Sequence, residues 1–145
     1  MTSVDVARAN VEAFNQADWD RFRALLAHRC VYDEPATQRR IEGADAIVDA
    51  NRGWKDAFPD ARGRIERAVA ADGTVTLEIT WEGTQSGTLH MPTGDLPPSN
   101  RRVAVRAVQV IDMDGDRIGE VRHYFDMLGM LAQMGALPEQ VAATA

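Results

Sequence analysis

Gln109 and His123 are polar residues within two apolar segments, and both are candidates for acid/base chemistry. In Val103–Ile111, every odd-numbered residue except Gln109 is apolar. This alternation predicts a strand whose odd-numbered side chains share one face. His123 alternates with apolar residues in the same way in Ile118–Phe125. We therefore expect both polar side chains to point into one apolar cavity.

A neutral imidazole at position 123 could take up a proton near pH 7 without a large shift of its pKa. His123 is therefore predicted to be a general base or proton shuttle, and a structural or surface histidine is the alternative. The amide of Gln109 could donate a hydrogen bond to the oxygen of a developing enolate.

Two carboxyl groups are further candidates. Pro35 holds Glu34 in an extended conformation, and apolar surroundings would raise the pKa of Glu34 toward that of a working acid/base. The alternative is a turn carboxylate that pairs with Arg39 or Arg40. Asp126 precedes the last helical segment, where an Asp is more often an N-cap than a catalytic acid.

Aromatic and amide side chains on apolar faces are candidates for the cavity wall. Phe14, Trp54 and Trp81 are interpreted as core walls rather than specific ligand contacts, although the two roles overlap for a flat aromatic ligand. Asn51 lies one helical turn before Trp54, so its amide is either satisfied internally or directed at a ligand. The same alternatives apply to Gln85, a second candidate donor to substrate.

The sequence does not indicate a metal or an organic cofactor. His28, His90 and His123 are far apart, and Cys30 is the only cysteine, so neither a ligand set nor an internal disulfide is predicted. Cys30 is interpreted as a small buried hydrophobe. The sequence also has no phosphate-binding glycine-rich loop and no nucleophile turn.

Charge and hydropathy exclude several partners. The 145 residues include 16 basic and 22 acidic ones, for a net charge of −6 at pH 7, which disfavours nucleic acid and anionic membranes. There is no run of about 18 apolar residues, so we expect no membrane span. We also expect no secretion signal, because Met1–Asp5 has neither a basic start nor an apolar stretch. We expect one cytoplasmic domain spanning residues 1–145, and the preference for Arg over Lys suggests a bacterial source.

Hydrophobic periodicity predicts helices first and strands afterwards. The helices cover Val4–Phe14, a short segment after Asp18, the segment between Gly43 and Pro59, and Met127–Met134. The strands cover Cys30–Asp33, Arg64–Val69, Val75–Trp81, Thr88–Met91, Val103–Ile111 and Ile118–Phe125. This order indicates an α+β fold, with three N-terminal helices on a strongly curved, mostly antiparallel sheet and a short C-terminal helix.

The opposite face of one predicted strand is also apolar, because it carries Ala104, Val108 and Val110. An apolar face open to water favours association. We therefore expect a homodimer, or a larger homo-oligomer such as a tetramer, formed through the outer face of the sheet.

Motifs along nearly the whole chain match known proteins. Those of a broad superfamily are Ala13-Phe14-Asn15, Val31–Pro35, Gly43 and the segment from Trp54 to Asp60. Those of one family within it are Gly83–Gly87, Leu96–Arg102, Asp114–Glu120 and the ending from Asp126 to Gly135. On these residues the chain resembles the SnoaL-like polyketide cyclases of the nuclear-transport-factor-2-like, or ketosteroid isomerase-like, superfamily.

The resemblance implies a cone-shaped α+β barrel and a reaction without metal or cofactor. In these cyclases a carboxylate on the last strand removes a carbon-bound proton before an intramolecular aldol reaction, and the matching position is His123. Gln109 stands where the cyclases have an assisting histidine, and Gln85 replaces another histidine of the family. The spacing around Glu34 resembles that of ketosteroid isomerases, in which the matching residue shuttles a proton.

Residues and resemblance together predict a cofactor-independent acid/base enzyme acting on a small, apolar, polyketide-like or polycyclic carbonyl compound. The reaction would be cyclisation or isomerisation through an enolate, as in antibiotic biosynthesis. Two other classes stay open. One is a non-catalytic module that binds a hydrophobic ligand or dimerises, and the other is a hydrolase or cofactor-free oxygenase on the same scaffold.

Overall fold

The computed structural model describes residues 1–138 of the chain. The helices are α1 (Ser3–Asn15), α2 (Trp19–Ala24), α3 (Ala44–Ala57) and α4 (Met127–Met134). The strands are β1 (Leu26–Glu34), β2 (Arg39–Glu42), β3 (Arg62–Ala71), β4 (Thr74–Thr84), β5 (Leu89–Met91), β6 (Gly94–Leu96), β7 (Arg102–Asp114) and β8 (Arg117–Phe125). The predicted α+β fold is confirmed. None of the helices in residues 1–138 is both long and apolar enough to cross a bilayer.

Capping residues set the helix ends. Thr2 and Asp5 form a capping box at the start of α1, because each side chain accepts a hydrogen bond from the other's backbone N–H. At α4, the carboxylate of Asp126 accepts a hydrogen bond of 2.8 Å from the N–H of Gly129. Gly135 ends α4 with a φ of 71°, which glycine adopts without strain.

Six strands form one sheet in the order β2-β1-β8-β7-β4-β3. All neighbours are antiparallel except β1 and β8, which run parallel. The register shifts within the β1–β8, β3–β4 and β7–β8 pairs, and such bulges bend a strand and increase its twist. The sheet therefore curves, as predicted, and its inner face packs against α1 and α3.

Three strands and one turn differ from the sequence-based prediction. A 3₁₀ turn at Pro35–Thr37 and the short strand β2 follow β1, and neither is long enough to give a clear period. Strand β6 lies inside the 92–100 segment, which its Gly and Pro content predicts as a loop, and it pairs with β5. Strand β1 begins at Leu26 rather than at Cys30.

The two faces of β7 have different surroundings. Its inner face carries five buried residues, which are Val103, Val105, Ala107, Gln109 and Ile111. On the outer face Val108 and Val110 are half-buried and Ala104 is exposed. The homo-oligomer expected to form through this face stays a prediction. Cys30 is fully buried, and burial raises the pKa of its thiol to about 12, as suits a small hydrophobe.

Candidate active site

A cavity of about 90 Å³ lies between α3 and the inner faces of β4, β7 and β8, with Met130 of α4 on one wall. Its polar lining includes Tyr32, Asn51, Gln109 and His123. Its aromatic walls include Phe14, Trp54 and Trp81, as predicted, together with Phe58 and Phe125. An apolar chamber with a few converging polar groups is the usual form of a small-molecule site.

Gln109 and His123 lie opposite each other in the antiparallel pair β7–β8. Directly opposite residues point to the same face of a sheet, so both side chains reach the cavity. They are 8% and 7% exposed, respectively. The structure thus places both side chains in the lining of one cavity, and their catalytic roles stay predictions.

The hydrogen bonds of His123 determine its tautomer. The indole Nε1–H of Trp81 donates to Nε2 of His123 across 3.2 Å. Because an indole nitrogen only donates, Nε2 carries the lone pair and the ring proton is on Nδ1. That N–H then donates to the hydroxyl oxygen of Tyr32, 2.7 Å away. The neutral ring therefore presents its basic nitrogen to the side of the cavity where Trp81 stands.

Burial lowers the pKa of His123 from 6.5 to about 4, and the nearby Glu34 carboxylate opposes this shift only partly. The expectation of an almost unshifted pKa is therefore wrong, because a fully buried imidazolium loses its hydration. His123 is neutral at pH 7 and can accept a proton, but it is a weaker base than an exposed histidine.

Glu34 lies beside the cavity and is fully buried. Its Oε1 accepts hydrogen bonds from Thr37 Oγ1 at 2.6 Å and from Arg39 Nη2 at 2.8 Å. Its Oε2 accepts from Tyr32 Oη at 2.7 Å and from Trp54 Nε1 at 3.2 Å. Four donors thus converge on one carboxylate.

These donors reverse the predicted titration of Glu34. Burial alone would raise the pKa of the carboxyl, but the bonds from Thr37 and Arg39 lower it below its ordinary value. The expectation of a raised pKa is wrong, and the alternative of a pair with Arg39 is the one observed. Glu34 is not among the residues that line the cavity.

Tyr32 is a residue that the sequence-based reasoning missed. It is buried, and its hydroxyl lies between His123 and Glu34. Along β1 the even-numbered residues Cys30, Tyr32 and Glu34 are buried. This period of two places the tyrosine on the same face as the carboxylate, which is the signal that could have identified it.

Gln109 has an amide without a protein partner. The side-chain amide forms no hydrogen bond with any residue in the described range 1–138, although every fully enclosed side-chain N or O there has a partner. Its amide is therefore open to the cavity. Asn51 is similar in part, because its Nδ2 donates to the carbonyl of Ile47 at 2.9 Å and its Oδ1 has no donor among those residues.

Gln85 does not lie with these groups. Its amide nitrogen donates to the carbonyls of Gly87, Leu96 and Pro97, and its oxygen accepts from the N–H of Ser99 at 3.1 Å. It is fully buried and does not line the cavity. The prediction of Gln85 as a donor in the shared cavity is wrong, because its amide nitrogen already donates to Gly87 and to the loop that contains β6.

Asp126 and the possible metal ligands give no further site. The Asp126 carboxylate caps α4, as predicted, and is not part of the cavity lining. Within residues 1–138, no three His, Cys, Asp or Glu side chains are grouped so that they could hold a metal ion. The cavity lining supplies the imidazole of His123, the hydroxyl of Tyr32, the amide of Gln109 and the amide oxygen of Asn51.

A model of the SnoaL-like polyketide cyclases matches residues 4–134. The chain belongs to this family. No protein of curated function matches it.

Solved structures share the fold. A protein with a ketosteroid isomerase-like fold from Catenulispora acidiphila aligns with a TM-score of 0.78 and 22% identity, over 94% of this chain and 96% of that one. IdmH from Streptomyces antibioticus, a proposed polyketide cyclase, gives 0.76 and 23%, over 90% and 96%. AclR from Streptomyces galilaeus, a proposed hydroxylase, gives 0.76 and 20%, over 97% and 91%. At these identities the alignments establish a common fold for this SnoaL-like protein, and they do not establish a common activity.

Proposed function

We propose that this SnoaL-like protein is a cofactor-independent acid/base enzyme. It removes a C–H proton next to a carbonyl of an apolar, polyketide-like compound and forms an enolate, which then cyclises or isomerises. The observation that carries the proposal is the pairing of a neutral imidazole with an unpartnered amide across β7 and β8. The family assignment and the aromatic walls support it.

The proton moves from carbon to Nε2 of His123. The C–H bond breaks, its electron pair becomes the C=C bond of the enolate, and the imidazole becomes an imidazolium. The amide N–H of Gln109 donates to the enolate oxygen, which stabilises the negative charge as it develops. In a cyclisation the enolate carbon attacks a second carbonyl, and the imidazolium returns the proton to the resulting alkoxide. In an isomerisation the proton returns to another carbon.

Trp81 must change its hydrogen bond during this step. In the free protein its indole N–H covers the lone pair of His123 Nε2. A bound carbonyl oxygen offers the indole N–H another acceptor, so the lone pair becomes available to the C–H group. After proton transfer, the indole and the new Nε2–H are both donors, and the indole stabilises the enolate oxygen with Gln109.

A base with a pKa of about 4 is adequate for this chemistry when the enolate is stabilised. Ketosteroid isomerase uses a carboxylate base whose pKa is about 4.6 together with strong donors to the enolate oxygen. The rate should fall as the pH is lowered through about 4 rather than 6.5, because the protonated ring cannot accept a proton. The pH dependence of exchange from the test ketone described next measures this midpoint.

Hydrogen–deuterium exchange tests the proposal. The probe is 2-tetralone, an apolar bicyclic ketone with acidic protons next to its carbonyl, followed by NMR in D₂O. We expect exchange faster than in buffer at the same pH, and slower exchange with His123→Ala. Cavity resonances that shift with the ketone while exchange stays at the buffer rate would instead identify a binding module. Oxygenation of an enolate begins with the same proton abstraction, so product analysis under O₂ separates an oxygenase from a cyclase.

A further inference from the structure

A row of hydrogen bonds runs from the cavity to a buried ion pair. His123 Nδ1 and Tyr32 Oη are 2.7 Å apart, and Tyr32 Oη and Glu34 Oε2 are also 2.7 Å apart. Glu34 Oε1 then accepts from Arg39 Nη2 at 2.8 Å. His123 lies on β8, and Tyr32 and Glu34 lie on β1. The parallel pairing of these two strands brings the three side chains together.

The direction of every proton in this row is fixed from its two ends. At the cavity end, Trp81 can only donate, so His123 holds its proton on Nδ1. At the other end, the ionised Glu34 can only accept, so the single hydroxyl proton of Tyr32 points at Glu34. Tyr32 therefore accepts from His123 and donates to Glu34, with no competing arrangement.

We propose that Tyr32 and Glu34 are positioning residues that hold His123 as its Nδ1–H tautomer and stabilise the imidazolium formed when Nε2 accepts the substrate proton. This inference rests on the proposed function and deepens it. When the ring becomes positive, its Nδ1–H bond to Tyr32 strengthens, and Tyr32 in turn polarises toward the carboxylate. The proton stays on His123 throughout, and Glu34 does not touch the substrate.

The charges in this row of hydrogen bonds affect the protonation of His123 as well as its packing. Burial opposes the charged form of His123, and the Glu34 carboxylate is the charge that opposes this effect. Thr37, Arg39 and Trp54 donate hydrogen bonds to Glu34 and favour its ionised form, and none of them is hydrogen-bonded to His123. Arg39 reduces the attraction between Glu34 and the imidazolium, and Glu82 is a further charged group in the cavity lining. Burial also raises the pKa of Tyr32 well above 10, so its hydroxyl stays protonated.

A purely structural network would make different predictions. Such a network would satisfy the polar atoms of Glu34 and support β1, and its loss would change stability without changing the protonation chemistry of His123. The row of hydrogen bonds proposed here instead links the tautomer and the basicity of His123 to Tyr32, at the cavity wall, and to Glu34, outside the cavity lining. The readouts below separate the two interpretations.

The first measurement is the tautomer of His123, by ¹⁵N–¹H NMR of protein labelled with ¹⁵N-histidine, with His123→Ala used to assign the signal. We expect the Nδ1–H form in the wild-type protein at pH 7. The Nε2–H form would overturn the proposal. This readout does not depend on turnover, so the proposed role of Tyr32 and Glu34 and the proposed function can fail separately.

The second measurement compares Tyr32→Phe with Tyr124→Phe. Tyr124 is the residue after His123 but is 45% exposed on the outer face, so it controls for the same chemical change. For Tyr32→Phe we expect 2-tetralone exchange to slow by roughly 10-fold to 100-fold, part of the ~10²–10⁴-fold attributable to a general base. Tyr124→Phe should behave as wild type. A folded Tyr32→Phe protein with wild-type exchange and an unchanged acid limb would overturn the proposal.

Glu34→Gln provides a second variant in case Tyr32→Phe does not fold. Because the Glu34 charge raises the pKa of His123, its removal should lower that pKa further below about 4. The NMR titration of His123, and the acid limb of exchange where exchange is catalysed, should both move to lower pH. An unchanged titration midpoint of His123 in folded Glu34→Gln would overturn the proposed role of Tyr32 and Glu34, whatever the exchange rate.

Discussion

Gln85 and Gln109 are both buried glutamines, but they lie in regions with opposite hydrogen-bonding states. The loop region around Gln85 supplies three carbonyls and one N–H to a single amide. The cavity wall around Gln109 supplies no partner among residues 1–138. A buried amide costs free energy unless its bonds are made. Gln85, whose amide is hydrogen-bonded within the protein, therefore stabilises a loop, and Gln109, whose amide has no protein partner, is available to a ligand.

The same contrast separates the two carboxyl candidates from the imidazole. Glu34 accepts four hydrogen bonds and Asp126 caps a helix, so both carboxylates are occupied within the protein. His123 Nε2 has one long bond from Trp81 and faces the cavity. Residue type alone did not separate His123 from Glu34, although its position before a helix already favoured a cap for Asp126. The number of partners already engaged distinguishes them.

Gln109→Leu should have the largest effect on catalysis in this comparison. The substitution removes one donor to the enolate oxygen, and the rate of 2-tetralone exchange should fall by about 10²–10³-fold. The free energy of unfolding should be unchanged or slightly raised, because no protein hydrogen bond is lost. Exchange kinetics and urea denaturation measure the two effects. A destabilised protein with wild-type exchange would place Gln109 in the same class as Gln85.

Gln85→Leu should show the reverse pattern. The substitution removes four part-buried hydrogen bonds, to the carbonyls of Gly87, Leu96 and Pro97 and from the N–H of Ser99, so the free energy of unfolding should fall by about 3 kcal/mol. Exchange per folded molecule should match the wild type, since Gln85 does not line the cavity. Urea denaturation combined with exchange assays normalised to folded protein tests this. A loss of exchange in fully folded protein would contradict the structural role.

Asn51→Leu should give a smaller effect of both kinds, because its amide is only half satisfied. One bond to the Ile47 carbonyl is lost and one free oxygen leaves the cavity. A net hydrogen bond contributes about 1 kcal/mol, so we expect a comparable loss of stability and at most about a 5-fold change in exchange. An effect on exchange as large as that of Gln109→Leu would indicate that Asn51 contacts the reacting group.

Local and periodic features of the fold could be predicted from the sequence. Helix α4 lies at the predicted residues because Asp126 and Gly135 are strong local end signals. The cavity position of Gln109 and His123 followed from alternation along two long strands. These features depend only on spacing along one segment, so a single sequence contains them.

The polar networks could not be predicted because their partners come from distant segments. Glu34 is bonded by residues of β1, the 3₁₀ turn, β2 and α3. Gln85 is bonded by a segment with no hydrophobic period. Saturation by such partners decided which candidates were structural, and the same partners lowered the pKa of Glu34 where the apolar setting predicted a rise. Burial likewise moved the pKa of His123 away from 6.5.

The most direct test of the account is the pair His123→Ala and Asp126→Asn in the 2-tetralone exchange assay, with folding checked by circular dichroism. His123→Ala should lower the exchange rate by about 10²–10⁴-fold, because the base is removed. Asp126→Asn should exchange at nearly the wild-type rate, because asparagine also caps helices well. An active His123→Ala protein beside an inactive, folded Asp126→Asn protein would contradict the assignment of His123 as the base.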